Sequence, residues 1–214
     1  MRNIIFANRN KIEQNVLKML NETQLMSANT LNSPRAVGDA VQSFLEQSIT
    51  KCIPQNLTKN IDTQFARRAM ADLAFEDNDE NYYIVDIKTH NLETKFNMPN
   101  LTSVERLARF YGDRNNYFTL LLLSYKIVDK KLDFRECSFV PIENLDWSCL
   151  TIGALGWGQI QIANSNNIKI KEHTRKEWML QLCDELDEFY PKEISKISER
   201  INYFKNIREF WEKQ

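Results

Sequence analysis

Apolar positions along the chain keep a helical spacing at first, then a strand-like one, then a helical one again. Within residues 3–20, Ile5, Ile12, Val16, Leu17 and Leu20 predict a helix. Ser33-Pro34 is a turn signal. Beyond it Val37, Val41, Leu45, Ile49 and Cys52 recur every three or four residues, which predicts an amphipathic helix over about 36–52. Residues 54–69 read as polar and irregular. Residues 70–75 read as a strand, 76–81 as a polar turn, and 82–88 as a second strand rich in aromatic and β-branched side chains. A loop is expected over 89–100. Thr102 with Glu105 then has the spacing of a capping box, opening a short helix to about Tyr111. Residues 116–128 form a strongly apolar strand that turns at Asp129-Lys130-Lys131 into a partner over 132–140. Shorter strands are expected near 149–152 and over 159–163, with a turn over 164–167. A second capping box, Thr174 with Glu177, opens a helix that Pro191 is expected to interrupt before a final helix. Trp178, Phe189, Phe204, Phe210 and Trp211 are expected to pack these terminal helices. The order predicts an α/β (α+β) fold with a mixed central sheet flanked by helices. It reads as one domain over 1–214, with a C-terminal helical extension over about 174–214.

Composition narrows the classes. Lys and Arg number 28 and Asp and Glu 29, a net charge of -1, which excludes a polycationic nucleic-acid coat but not a local basic cleft. With 43% hydrophobic residues in 214, the chain can build a core without disulfides or a structural metal. The cysteines (Cys52, Cys137, Cys149, Cys183) form no C-x-x-C pair and the only histidines are His90 and His173, so a Cys/His zinc site is not expected. The N-terminus lacks a basic-then-apolar leader, and the apolar run at Leu120–Leu123 is too short to cross a bilayer. These features suggest a cytoplasmic protein with reduced thiols and no membrane partner.

The sharpest chemical pattern is Asp72 followed by Asp86-Ile87-Lys88. Residues two apart in a strand share a face, so Asp86 and Lys88 point the same way from a strand whose other members are apolar. A carboxylate there is costly unless it is used. Asp72, on the preceding strand of an apparent hairpin, can converge on it. Two carboxylates and the Ile87 carbonyl suit Mg²⁺, and Lys88 could orient or activate a water. Taken alone, the pattern equally describes an Asp–Lys ion pair on a surface hairpin.

More of the chain joins this pattern. Asp86-Ile87-Lys88-Thr89 resembles the D-[IV]-K-T stretch of type II restriction endonucleases of the EcoRV and HincII kind, members of the PD-(D/E)-x-K nucleases, and Asp72 precedes it at a similar spacing. Gly38-Asp39 lies where that group commonly has Gly-Glu. Asn97-Met98-Pro99-Asn100-Leu101 resembles a segment that approaches the DNA minor groove in such enzymes. Gly158-Gln159-Ile160-Gln161-Ile162 and Thr174-Arg175-Lys176-Glu177-Trp178 follow in the same order. The sequence departs from the group at Ala71, in place of the motif proline, at Asp39, which is shorter than Glu, and at Gly153, in place of a base-reading amide.

The resemblance implies a restriction-endonuclease-like core and a Mg²⁺-dependent, site-specific deoxyribonuclease. It would act as a homodimer that cuts double-stranded DNA at a short palindrome to blunt ends. Asp72 and Asp86 would hold metal with the Ile87 carbonyl, Lys88 would act on water, and Asp39 would assist. DNA contacts would come from Asn97, Met98, Asn100, Gly153, Leu155, Gly156, Trp157 and Gln159. A nonspecific or repair nuclease of the same superfamily, and a non-catalytic DNA-binding protein, are the alternative readings.

Other candidates carry less chemistry. The glycine-rich turn 153–158 lacks the Lys-Ser/Thr of a phosphate-binding loop, so no nucleotide cofactor is expected, and as a bare sequence it reads as a bulged hairpin. The acidic stretch 76–80 is expected to be a solvated hairpin tip. His90 is expected just past the strand, in a loop, making a polar or phosphate contact. Met98 is either a wedge between bases or a plain loop hydrophobe. Arg67 and Arg68 either touch phosphates or are solvated.

Overall fold

The computed structural model describes residues 3–27, 30–62 and 72–214. The expected first helix is two: α1 (Ile4–Ala7) and α2 (Arg9–Glu22), joined at Asn8, whose side chain donates back to the Ile4 carbonyl at 2.8 Å. Helix α3 (Pro34–Ser48) starts with a proline in its first turn and with Ser33 accepting from the Ala36 N–H, and it buries Val37, Val41 and Leu45. Its expected last turn is instead a 3₁₀ turn, Ile49–Lys51.

Strand β1 (Thr58–Asp62) falls in the stretch expected to be irregular; residues 63–69 of that stretch lie outside the described residues. Among the described residues β1 stands at the sheet edge and pairs only with β2 (Leu73–Asp77), and its one apolar residue in five gives no alternation to read. Residues 70 and 71 of the expected strand also lie outside the described residues. β2 pairs antiparallel with β3 (Tyr82–Asn91). β4 (Asn100–Ser103) and α4 (Val104–Phe110) follow, then β5 (Asn116–Val128), β6 (Lys131–Pro141), β7 (Leu150–Gly153), β8 (Gln159–Ile162) and α5 (Arg175–Glu212).

The larger sheet has five strands in the order β1-β2-β3-β5-β6, and the smaller has three in the order β4-β8-β7. Among the described residues only β3 and β5 run parallel, and every other pairing is antiparallel. The fold is therefore mixed α and β, with a mixed sheet flanked by helices. Both faces of β3 are covered. Tyr83, Val85 and Ile87 join Ile12, Val16, Val41 and Leu45 in one core, while Ile84 joins Leu101, Phe118, Leu120, Ile160 and Trp178 in the other. Two-sided burial explains the near-continuous apolar runs of β3 and β5. Each fully buried aliphatic side chain in them is worth roughly 1.5–3 kcal/mol.

Three local expectations are corrected. Thr102 is not a cap; it is buried inside β4, and Ser103 stands at the start of α4 without a side-chain cap bond. Pro191 does not end its helix: α5 is continuous over 38 residues. The carbonyl that Pro191 leaves without a donor belongs to Asp187, an exposed residue where water can take the bond. The terminal aromatics divide. Trp178 is fully buried, Phe189 half-buried, and Phe204, Phe210 and Trp211 are exposed.

Candidate active site

β3 carries Asp86 and Lys88 on one face, and the chain's local pattern explains why they sit there. Tyr82 to Ile87 is all apolar or aromatic apart from Asp86, and β-branched and aromatic residues favour a pleated central strand. Asp86 is thereby carried into the core and is only 5% exposed. One of its oxygens, Oδ1, accepts from Lys88 Nζ at 2.7 Å; the other, Oδ2, is buried with no hydrogen-bond partner among the described residues. Burial pushes the Asp86 carboxyl up to about 7; Lys88 opposes this and the nearby Asp72 charge adds to it.

Asp72 stands one residue before β2. Its N–H bonds the Val85 carbonyl at 3.0 Å, and its Oδ2 accepts from the Ile87 N–H at 2.7 Å. β2 begins at Leu73, and among the described residues it is this carboxylate that takes the Ile87 N–H. The carbonyl of a strand residue points to the same side as its N–H, so that of Ile87 is aimed past the start of β2. The Asp72 carboxyl is also raised, by burial first. The Ile87 N–H and Lys88 hold it down, and Glu46 pushes it up. Asp72, Asp86 and Lys88 thus share one electrostatic site, as the sequence pattern predicts.

Asp39 is not brought into this group by any contact. It is exposed on α3, while its neighbour Gly38 faces β3, where an added Cβ would make ordinary contact with Thr89 Oγ1 at 3.5 Å. The α3 carboxylate felt at Asp72 is Glu46, half-buried and receiving the Gln42 amide at 3.1 Å. Sequence reasoning missed it. Gln42 and Glu46 follow Gly38 at intervals of four, and that helical spacing from the glycine was the available signal.

His90 is in β3 rather than in a loop, buried on the same face as Asp86 and Lys88, and its Nε2 lies 2.9 Å from Asn166 Oδ1. Parallel pairing with β5 continues to Asn91, which extends the strand past the expected end. Asp77 corrects the expected solvated tip: it is 0% exposed and accepts from the Asp79 and Asn81 N–H groups, the Asn81 amide and the Tyr83 hydroxyl.

The groove-loop candidates frame the small sheet. Asn97 and Pro99 carbonyls accept from Ser165 and Ile162, and Asn100 Oδ1 accepts from Gln161 at 2.5 Å, so 97–100 lies at the Ile162 end of β8. Residues 153–158 close the other end, where Gly153 faces Gln159. A four-residue strand separates the two segments by roughly 13 Å. Met98, Leu155 and Trp157 are exposed. Gly156 and Gly158 hold φ of +60° and +122°, the left-handed backbone that favours glycine, and the Trp157 carbonyl accepts from Tyr190 of α5 at 2.7 Å. Gly153 is tight, since an added Cβ would meet the Gln161 side chain at 2.6 Å. Arg67 and Arg68 lie outside the described residues.

A divalent cation fits this chemistry. An unpartnered buried carboxylate oxygen beside a second carboxylate is satisfied by a hard cation. Among the described residues no group of three His, Cys, Asp or Glu could by itself hold a metal ion. No protein-family model matches the chain, and no curated protein matches it.

Proposed function

We propose that the protein is a Mg²⁺-dependent deoxyribonuclease with a restriction-endonuclease-like core, cutting double-stranded DNA at a short palindromic site. The observation that carries this reading is Asp86: buried on a central strand, paired through one oxygen with Lys88 and left without a partner on the other. In this reading Asp72 and Asp86 hold the metal together with the Ile87 carbonyl. The ion supplies Lewis acidity at the scissile phosphate. Lys88, with about a quarter of its side chain exposed, orients water and stabilises charge on the phosphate. Glu46 adds negative charge next to Asp72 and strengthens the pull on a cation. Segments 97–100 and 153–159 contact the DNA, and two copies match a two-fold site.

Digestion of a long DNA with Mg²⁺ tests it. Discrete fragments with uniform blunt ends are expected. A smear would move the protein to the nonspecific nucleases. No cleavage with Mg²⁺, for a protein that still binds DNA, would leave a non-catalytic binder. Among the described residues no helix is long and apolar enough to cross a membrane.

A further inference from the structure

The distal half of α5 carries an apolar stripe that the described residues leave uncovered. The helix is anchored by its first turns. Trp178 is fully buried and donates to the Leu145 carbonyl at 2.8 Å, Leu182 is buried behind it, and Arg175 bonds Glu143 at 2.7 Å while lying over the Tyr111 ring. After Tyr190, whose hydroxyl is held by the Trp157 carbonyl, Glu193 is buried and Ile207 half-buried, and the rest of the helix is exposed. Ile194, Ile197, Ile201, Phe204 and Trp211 are 49–68% exposed.

Their spacing is 3, 4, 3 and then 7, so with Arg208 filling the missing position they make a heptad seam. A seam of period 3.5 is matched by another helix with the same period, rather than by a flat surface or an irregular peptide. If the five side chains were fully covered on two copies, roughly 1,200 Å² would leave water, given the roughly 150–250 Å² carried by an aromatic side chain. That reaches the lower end of stable interfaces, about 1,200–2,000 Å². Orientation follows from charge. In a parallel pair Arg200 would flank Lys205 of the other copy, a like-charge contact. An antiparallel pair avoids it and sets Ile201 against Phe204 and Ile194 against Trp211, large against small in each layer. Arg208 then falls opposite Ile197, where its long stem covers the isoleucine and its head reaches water.

We infer that residues 194–211 are a self-association helix that pairs antiparallel with the same segment of a second copy. The inference stands on α5 alone and does not need the nuclease reading.

Sedimentation equilibrium of the full chain at micromolar concentration tests it, alongside a variant carrying Ile201→Asp and Phe204→Asp. Both positions are exposed, so the thermal midpoint should move by no more than a few degrees. The wild type should be a dimer and the variant a monomer. Orientation is read by disulfide trapping with Cys183, the exposed thiol, replaced by Ser. Ile201→Cys mixed with Phe204→Cys should cross-link, and Phe204→Cys alone should not. A dimer that survives the double substitution overturns the proposal, because another face then holds it together. So does cross-linking of Phe204→Cys alone, which marks a parallel pair, or an assembly larger than a dimer. A monomeric wild type also overturns it; if that monomer sediments with anionic phospholipid vesicles, the stripe belongs to a membrane surface.

Discussion

Two buried aspartates sit on one hairpin and are treated in opposite ways. Asp77, at the end of β2, is closed off from water and receives four hydrogen bonds, from two backbone N–H groups, the Asn81 amide and the Tyr83 hydroxyl. Tyr83 is itself stacked between Phe75 at 4.7 Å and Tyr117 at 5.0 Å, so the bonded hydroxyl is locked in position. Asp86, on β3, has one salt-bridge partner and one bare oxygen. A fully satisfied buried carboxylate organises its turn. A half-satisfied one is a standing cost of several kcal/mol that a cation can remove. The first pattern is architecture, and the second is the one on which the proposed cation site rests.

The comparison breaks most visibly if the two residues are removed in turn. Asp86→Ala should lower Mg²⁺-dependent DNA cleavage at least a thousandfold, about 4 kcal/mol, while the folded protein persists; single-turnover cleavage assays check this. Lys88→Ala should cost roughly 2.7–4 kcal/mol in transition-state stabilisation and leave Mg²⁺ binding in place. If Lys88 only neutralises Asp86, its loss would barely alter the rate. Asp77→Ala should do the reverse of Asp86→Ala. It strands four donors, three at the turn and the Tyr83 hydroxyl, and should lower stability by roughly 2–4 kcal/mol, read by urea unfolding, without removing any group from the site.

A smaller effect sharpens the contrast through pH. Asp86 is held at about 7 in the folded chain, against an ordinary carboxylate value of about 4 when unfolded. Between those values the folded state keeps a proton that the unfolded state releases. Stability of the metal-free protein should therefore fall as pH rises through that interval. Asp86→Asn should flatten this fall. Thermal midpoints across pH 4–8 in chelator would show the difference.

Much of the frame was legible because strongly apolar strands announce themselves. β3, β5 and β6 appear near their expected limits, and the Asp-Ile-Lys spacing placed Asp86 and Lys88 on one face without further help. What escaped depended on long-range partners. β1 and β4 are short and are defined by what they pair with, not by their own pattern. Asp77 looked like part of an acidic surface run because three of its four donors come from a turn that sequence does not fold on paper, and the fourth from Tyr83 on β3. Glu46 was passed over for Asp39 because local resemblance to a Gly-acid pair outweighed the helical geometry that aims the side chain. The aromatics of α5 were assigned to a core by their character alone, and the structure leaves three of them in water.

Mg²⁺ titration followed by the thermal midpoint, comparing wild type with Asp86→Asn at pH 7.5, tests the central claim most directly. Binding to the folded state alone raises the midpoint with ligand concentration. The wild type should be stabilised progressively by Mg²⁺, and Asp86→Asn should start from a higher midpoint in chelator and not respond. Equal responses in the two proteins, or none in either, would contradict a cation site at Asp86.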